Sequence, residues 1–226
     1  MKVTFDTNVL GDFVLSTECF RIRDAVRDGS IIACVAETVF TLEAIKKENR
    51  KSFLSLYVGK TAFPKHPGNN KYLDLVLKAG VKILRCPRIA GLTNLSIPQE
   101  KYFNDLHELA IRQNLFSVCL EEIERRGCGI DCVQKLGAQY DRANWLRGIK
   151  IAPDLERTKV ADAVGEWADG DSVAAHIAYR NDYFCSRDFN RNGSGESILS
   201  DKNRKWLFER YKVRFINMDD LKKMIP

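Results

Sequence analysis

Residues 3–10 read Val3-Thr4-Phe5-Asp6-Thr7-Asn8-Val9-Leu10. A short, β-prone apolar run stops abruptly at an acid followed by two small polar residues, which suits a strand giving way to a helix N-terminus. A second unit repeats the theme. Ile31-Ile32-Ala33-Cys34-Val35 reads as a fully buried strand, and from Ala36 to about Lys51 the apolar residues Val39, Leu42 and Ile45 recur at helical spacing. Between the two strands, residues 17–28 have a helical pattern that closes at Asp28-Gly29. Strand, helix, strand, helix is the order of a parallel α/β sheet.

The alternation resumes late in the chain. Ser172 to Tyr179 predicts a small-residue helix able to pack closely on a sheet, opened by Asp171. Asp182-Tyr183-Phe184-Cys185-Ser186 predicts a strand running into Arg187-Asp188. A helix over 201–210, a strand from Lys212 to Ile216 and a closing helix from Met218 to Met224 complete the second half. The middle differs in character. After a loop over Lys60–Asn70, a helix over Tyr72–Lys78 and a strand over Val81–Leu84, a long helical pattern runs from about Glu100 to Arg126. Gly127-Cys128-Gly129 breaks it, and a further helix extends to about Leu146. One α/β domain over residues 1–226 with a largely helical insertion at 86–150 is expected.

With 226 residues, 45% of them hydrophobic and 29% charged, the chain can bury a sizeable core and is not a disordered one. No window approaches the roughly 18 uninterrupted apolar residues of a membrane span. Asp6 interrupts the N-terminus where a secretory signal would still be apolar, which points to a cytosolic protein. The seven cysteines are then most simply free thiols. Cys128 and Cys132 form the one close pair, and with three histidines in the chain a closed zinc site would need scattered partners. The net charge is +6, but residues 151–200 carry nine acids against five bases, while 60–150 carry 15 bases against nine acids and 201–226 eight against four. An acidic segment flanked by basic ones fits a polyanion-binding surface around a carboxylate cluster, with a cation between the two.

Four acids fall at telling positions. Asp6 and Asp188 each follow a strand directly, where open parallel sheets bind their ligands. Glu43 lies on the helix expected after the second strand, with Glu37 as its stand-in six positions earlier, and Asp171 heads the small-residue helix. Carboxylates gathered together repel unless protonated or neutralised by a metal, and hard oxygen donors favour Mg²⁺ or Mn²⁺. Each also has an ordinary structural role: helix cap for Asp6 and Asp171, solvated helix residue for Glu43, turn former for Asp188.

Val3-Thr4-Phe5-Asp6-Thr7-Asn8-Val9-Leu10 resembles the opening motif of PIN-domain nucleases. Thr41-Leu42-Glu43-Ala44 is similar to that family's second acidic motif, Asp171-Ser172-Val173-Ala174-Ala175-His176 to the third, and Cys185-Ser186-Arg187-Asp188-Phe189 to the fourth. Val213-Arg214-Phe215-Ile216 and the short helix after it resemble the last strand and helix. The resemblance spans about residues 1–55 and 160–226. Glu43 and Asp171 stand further apart than in compact members, and residues 86–150 match none of the motifs.

The resemblance implies a PIN-like three-layer α/β fold with a central parallel sheet, and a divalent-metal-dependent nuclease, most simply an endoribonuclease leaving 5′-phosphate and 3′-hydroxyl ends. Asp6, Glu43, Asp171 and Asp188 would hold one or two Mg²⁺ or Mn²⁺ ions. Thr7, Asn8 and Ser186 would fix carboxylates or a bound water, and Arg187 stands beside the fourth acid. Arg191, in the Asn190–Gly195 loop, and Lys202, Arg204 and Lys205 would meet the phosphate backbone of an RNA substrate. Trp145, Trp167 and Trp206 can stack on bases or fill a core; His176 reads as a packed helix residue. A homodimer and an antitoxin partner, as for toxin-like members, are further implications, and no membrane association is expected. A PIN-like scaffold binding RNA or protein without catalysis is the competing expectation. Phosphatases of the haloacid-dehalogenase type share a similar opening, but need a second acid where this chain has Asn8.

Overall fold

The computed structural model describes residues 1–56, 73–87, 97–103, 108–188 and 197–225. Five strands, β1 (Lys2–Phe5), β2 (Ile32–Ala36), β3 (Lys82–Leu84), β4 (Tyr183–Cys185) and β5 (Phe215–Ile216), form one all-parallel sheet in the order β3-β2-β1-β4-β5. Phe5 sits opposite Val35 on one side and Cys185 on the other. Val3, Thr4 and Phe5 are all buried, as expected for a central parallel strand covered on both faces. The chain moves outward from β1 to β3, then returns to the far side of β1 for β4 and β5. The order therefore reverses at β1, and the C-terminal ends of β1 and β4 are where open sheets of this kind bind ligands.

Side-chain alternation divides the core into two layers. Val3, Phe5, Ala33 and Val35 face α1 (Thr7–Leu15), α2 (Phe20–Arg27), α4 (Leu73–Lys78) and α10 (Met218–Lys223), through Phe13, Ile22, Val76 and Leu221. Cys34, Ala36 and Phe184 face the other way. They meet α3 (Arg50–Ser55), α5 (Leu109–Arg125), α6 (Ile130–Ala138), α7 (Trp145–Ile151), α8 (Arg157–Ala178) and α9 (Asp201–Tyr211). Phe116, Ile123, Val133 and Ile149 from the expected insertion are part of this same core, so those helices build the layer itself. Loop 127–129 enters it tightly: Gly129 has φ of 67°, and a Cβ on Gly170 of α8 would come within 2.9 Å of the Gly129 Cα.

Several elements differ from the sequence expectation. The helix over 36–51 is broken into 3₁₀ turns at Glu37–Phe40 and Lys47–Asn49, with α3 starting only at Arg50. Thr41 is responsible: its hydroxyl bonds the carbonyls of Glu37 and Thr38 at 3.3 and 3.1 Å, competing with helical bonding, and places Glu43 on a turn. The pattern from Glu100 begins as a 3₁₀ turn at Gln99–Lys101. Tyr102 then bridges to Ile83 before α5, which spans Leu109–Arg125. The helix expected to reach Leu146 is two helices, with Asn144 capping the second through the Arg147 amide. The small-residue helix is the end of the 22-residue α8, so Asp171 lies mid-helix and caps nothing. Lys212 adopts left-handed backbone at the end of α9, which shortens the strand expected from that point to Phe215–Ile216.

All seven cysteines are free thiols. Among the described residues no helix is long and apolar enough to cross a membrane.

Candidate metal centre

Asp6 is the first residue past β1 and the N-cap of α1. Its Oδ1 accepts the Thr7 amide at 2.7 Å, and its Oδ2 accepts the Ser186 hydroxyl at 2.7 Å and Asn8 Nδ2 at 2.8 Å. Ser186 stands one residue past β4, and its Oγ in turn accepts the Asp188 amide at 3.1 Å and Asn8 Nδ2 at 3.0 Å. Asn8 Oδ1 accepts the Arg187 amide at 3.1 Å. The turns after two neighbouring strands are thus laced together around one carboxylate. Thr7 Oγ1 donates to Glu43 Oε2, which brings the turn after β2 into the same group.

Asp6 and Glu43 meet a third acid, and it is Asp169. One carboxylate oxygen from each of Asp6, Glu43 and Asp169 lies within 4.8 Å of the others, the one such cluster among the described residues. Asp171, expected in that place, is two positions further along α8, which turns it about 200° around the helix axis. It is fully buried, and its charge acts on Cys86 together with that of Glu37. Glu37 is no stand-in for Glu43 either. Its carboxylate accepts the Cys86 amide at 3.2 Å and the Tyr102 hydroxyl at 3.0 Å, inside the protein. Asp188 borders the centre; its negative charge acts on Asp6, Glu43 and Asp169 alike.

The electrostatics are those of crowded, poorly solvated anions. Burial pushes Asp6 up to about 6, although Ser186 and the Thr7 amide pull the other way. Burial, then the charge of Asp6, pushes Glu43 up to about 7. Burial, Asp6 and Glu43 hold Asp169 well above the ordinary carboxylate range. Among the described residues one internal counter-charge faces the cluster. Buried Arg50 donates Nη1 to Ala161 O at 2.7 Å and Nε to Ile45 O at 3.3 Å, and its charge faces Glu43, Asp169 and Asp162. The missing side chain at Gly165 makes room for it, since a Cβ there would stand 3.3 Å from Nη1. One guanidinium against four acids leaves an excess of negative charge that a divalent cation would balance. Mg²⁺ or Mn²⁺ fits the donor set: oxygens alone, converging from three elements.

The remaining expected site residues sit elsewhere or are engaged. Arg187 pairs with Asp12 of α1. Lys202, Arg204 and Lys205 lie on α9, where Arg204 pairs with Asp201 and stands 5.9 Å from the Phe215 ring, and Lys205 reaches Glu209 at 4.0 Å. Arg191 and its loop lie outside the described residues. Trp145 and Trp167 form an edge-to-face pair in the core, and Trp206 packs against Tyr211 under the Arg126 guanidinium. His176 is buried, as a packed helix residue. Asp169 and Arg50 are the residues the sequence patterns passed over. Asp169 had a signal: with Asp162 and Glu166 it falls on one face of a helix, once that helix is started at residue 157.

The chain matches no family model, no curated protein and no solved structure.

Proposed function

We propose that the chain is a PIN-like, divalent-metal-dependent nuclease that hydrolyses phosphodiester bonds in RNA. The observation that carries this is the convergence of Asp6, Glu43 and Asp169 at the C-terminal edge of a parallel sheet, with Asp188 beside them. The motif resemblance and a strand order that reverses at β1 support it. A Mg²⁺ or Mn²⁺ ion held there supplies Lewis-acid activation of a water and neutralises charge on the scissile phosphate. The chain's own residues do the rest. Asp6, Glu43 and Asp169 hold the ion. Ser186, Asn8 and the Thr7 amide fix both oxygens of Asp6, and the Thr7 hydroxyl fixes Glu43, so that the ligands need little rearrangement on binding. Asp188 can orient the attacking water or accept its proton. Arg50 offsets part of the carboxylate repulsion. RNA as the substrate, a homodimer and an antitoxin partner rest on the resemblance alone.

The test is cleavage of labelled single-stranded and structured RNAs by the wild type and by Asp6→Asn, with Mg²⁺, Mn²⁺ or EDTA. Metal-dependent cleavage by the wild type, absent in a folded Asp6→Asn protein, is expected. An active Asp6→Asn protein would sink the site assignment.

A further inference from the structure

Six of the seven cysteines are buried, and burial holds all six thiols above the ordinary thiol range. Cys132 is the exception. It is half-buried and lines a cavity of about 690 Å³ between α6 and α8, with Gly127 and Glu166 in the same lining. It is also the third residue of α6, where the helix dipole favours negative charge and so the form in which a cysteine reacts. A soluble oxidant meets this thiol first.

A second thiol stands four residues back. Cys132 Sγ donates to the Gly127 carbonyl at 3.2 Å. The peptide joining Gly127 to Cys128 then places that sulfur within about 6 Å of the Cys128 Cα. The Cys128 sulfur is two bonds from the same Cα and accepts Asn203 Nδ2 at 3.2 Å. Cys132 is also among the groups whose charge acts on Cys128. Both sulfurs therefore belong to one turn, and joining them needs a small rearrangement of it rather than its unfolding.

The turn is fixed at one end. The Gly127 amide donates to Glu124 O at 2.8 Å and the Cys128 amide to Ile123 O at 3.3 Å, the paired bonds that close a helix on a left-handed glycine, here Gly127 (φ 78°). Cys128 is thus held to α5, and a bridge to Cys132 pulls on Gly129 between them. Gly129 (φ 67°, ψ −140°) is packed against Gly170, the neighbour of Asp169, so closely that a Cβ on Gly170 would come within 2.9 Å of its Cα. A contact that tight transmits movement, so a shift of Gly129 reaches the part of α8 that carries the third carboxylate.

We propose that Cys132 and Cys128 form a reversible disulfide that weakens metal binding at the carboxylate cluster, a redox control that rests on the reading of Asp6, Glu43 and Asp169 as metal ligands. The oxidant is a low-molecular-weight disulfide. The Cys132 thiolate attacks one of its sulfurs, which forms a mixed disulfide and releases the first small thiol. Cys128 gives up its proton and attacks the Cys132 sulfur, which forms the internal bond and releases the second. Two electrons pass from the two cysteines to the small disulfide, and their two protons leave on the two thiols produced. The cavity beside Cys132 gives the mixed disulfide its room.

Exposure of the full chain to oxidised glutathione, followed by peptide mass mapping and calorimetric titration with Mn²⁺, tests this. A loss of two hydrogens is expected to map to residues 127–135, the peptide that trypsin releases with both cysteines. Mn²⁺ affinity is expected to fall at least tenfold and to return on reduction by a phosphine that is removed before the titration. Cys132→Ser keeps a donor for the Gly127 carbonyl, and it is expected to bind Mn²⁺ as the reduced wild type does, before and after the same exposure. No link, a link between other cysteines, a 128–132 link with unchanged affinity, or oxidant sensitivity retained in Cys132→Ser would each overturn the switch and leave the metal centre standing. A reduced wild type that binds no Mn²⁺ would overturn the metal centre, and the switch with it.

Discussion

At the C-terminal edge of the sheet three carboxylates converge to within 4.8 Å, while at the N-terminal edge four cations line a cavity against a single acid. Part of this sorting follows from the direction of the elements. Helices that return antiparallel to parallel strands point their N-termini to one edge and their C-termini to the other, and the macrodipole favours acids at the first and cations at the second. Asp6 caps α1, whereas Arg180 and Lys212 close α8 and α9. Asp169 breaks the rule. It stands in the middle of α8, with no helix terminus to stabilise its charge, and it is also an acid that burial and its neighbours hold well above the ordinary range. Local structure accounts for the cation-rich edge more fully than for the acidic one, whose third carboxylate needs a proton or a positive partner.

The sharpest way to break this contrast is to exchange the two acids of α8. Asp169→Asn is expected to cut Mn²⁺ affinity by more than the roughly 10–100-fold typical of losing a residue that only hydrogen-bonds a metal ligand. Asp171→Asn should keep Mn²⁺ binding and change the thermal midpoint instead. Calorimetric titration of both variants checks this, and the reverse pattern would restore Asp171 to the site. Ser186→Ala deprives Asp6 Oδ2 of its hydroxyl donor, and a loss of Mn²⁺ affinity of about 10–100-fold is expected. Gly170→Ala forces a methyl group against Gly129 and should cost about 1–3 kcal/mol in denaturant unfolding.

The acidic edge can also be probed by pH. Asp6 and Glu43 have folded values of about 6 and 7, above their ordinary 3.8 and 4.5. In the window between, the folded metal-free protein holds protons that the unfolded chain has released. The stabilisation is therefore complete below about pH 4 and is lost as pH rises through 6 to 7. From these two groups a decline on the order of 10 °C in the metal-free thermal midpoint between pH 5 and 8 is expected. Saturating Mn²⁺ should recover more at pH 8 than at pH 5. A midpoint that rises over this range, without metal, would contradict the crowding of the carboxylates.

Much of this was readable in the chain. The sheet was legible because its strands are short apolar runs, and Asp6 and Asp188 because each follows one directly. Thr7, Asn8 and Ser186 were legible as partners of the acids because short polar side chains next to a strand end can reach only their neighbours. Asp169 was not. The small residues after Asp171 suggested a helix beginning at 171, yet in the structure Gly165 and Gly170 make room for Arg50 and for Gly129 inside one long helix. That context is tertiary, and no local pattern carries it. The same holds for Thr41, whose hydroxyl ends a helix that the apolar spacing alone would continue, and for Tyr102, drawn out of its expected helix by the bridge to Ile83.

The crossing of Gly129 over Gly170 has a consequence for how such a protein can change. The contact is immediately adjacent to Asp169 in sequence, so the loop joining α5 to α6 rests on the rung of α8 that carries the third acid of the cluster. Transplanting residues 109–138 onto another sheet, or trimming them away, would move the seat of that carboxylate unless the recipient helix offered the same gap. The helices at 109–138 and the acid are thus not interchangeable modules: they would have to be inherited, or engineered, together.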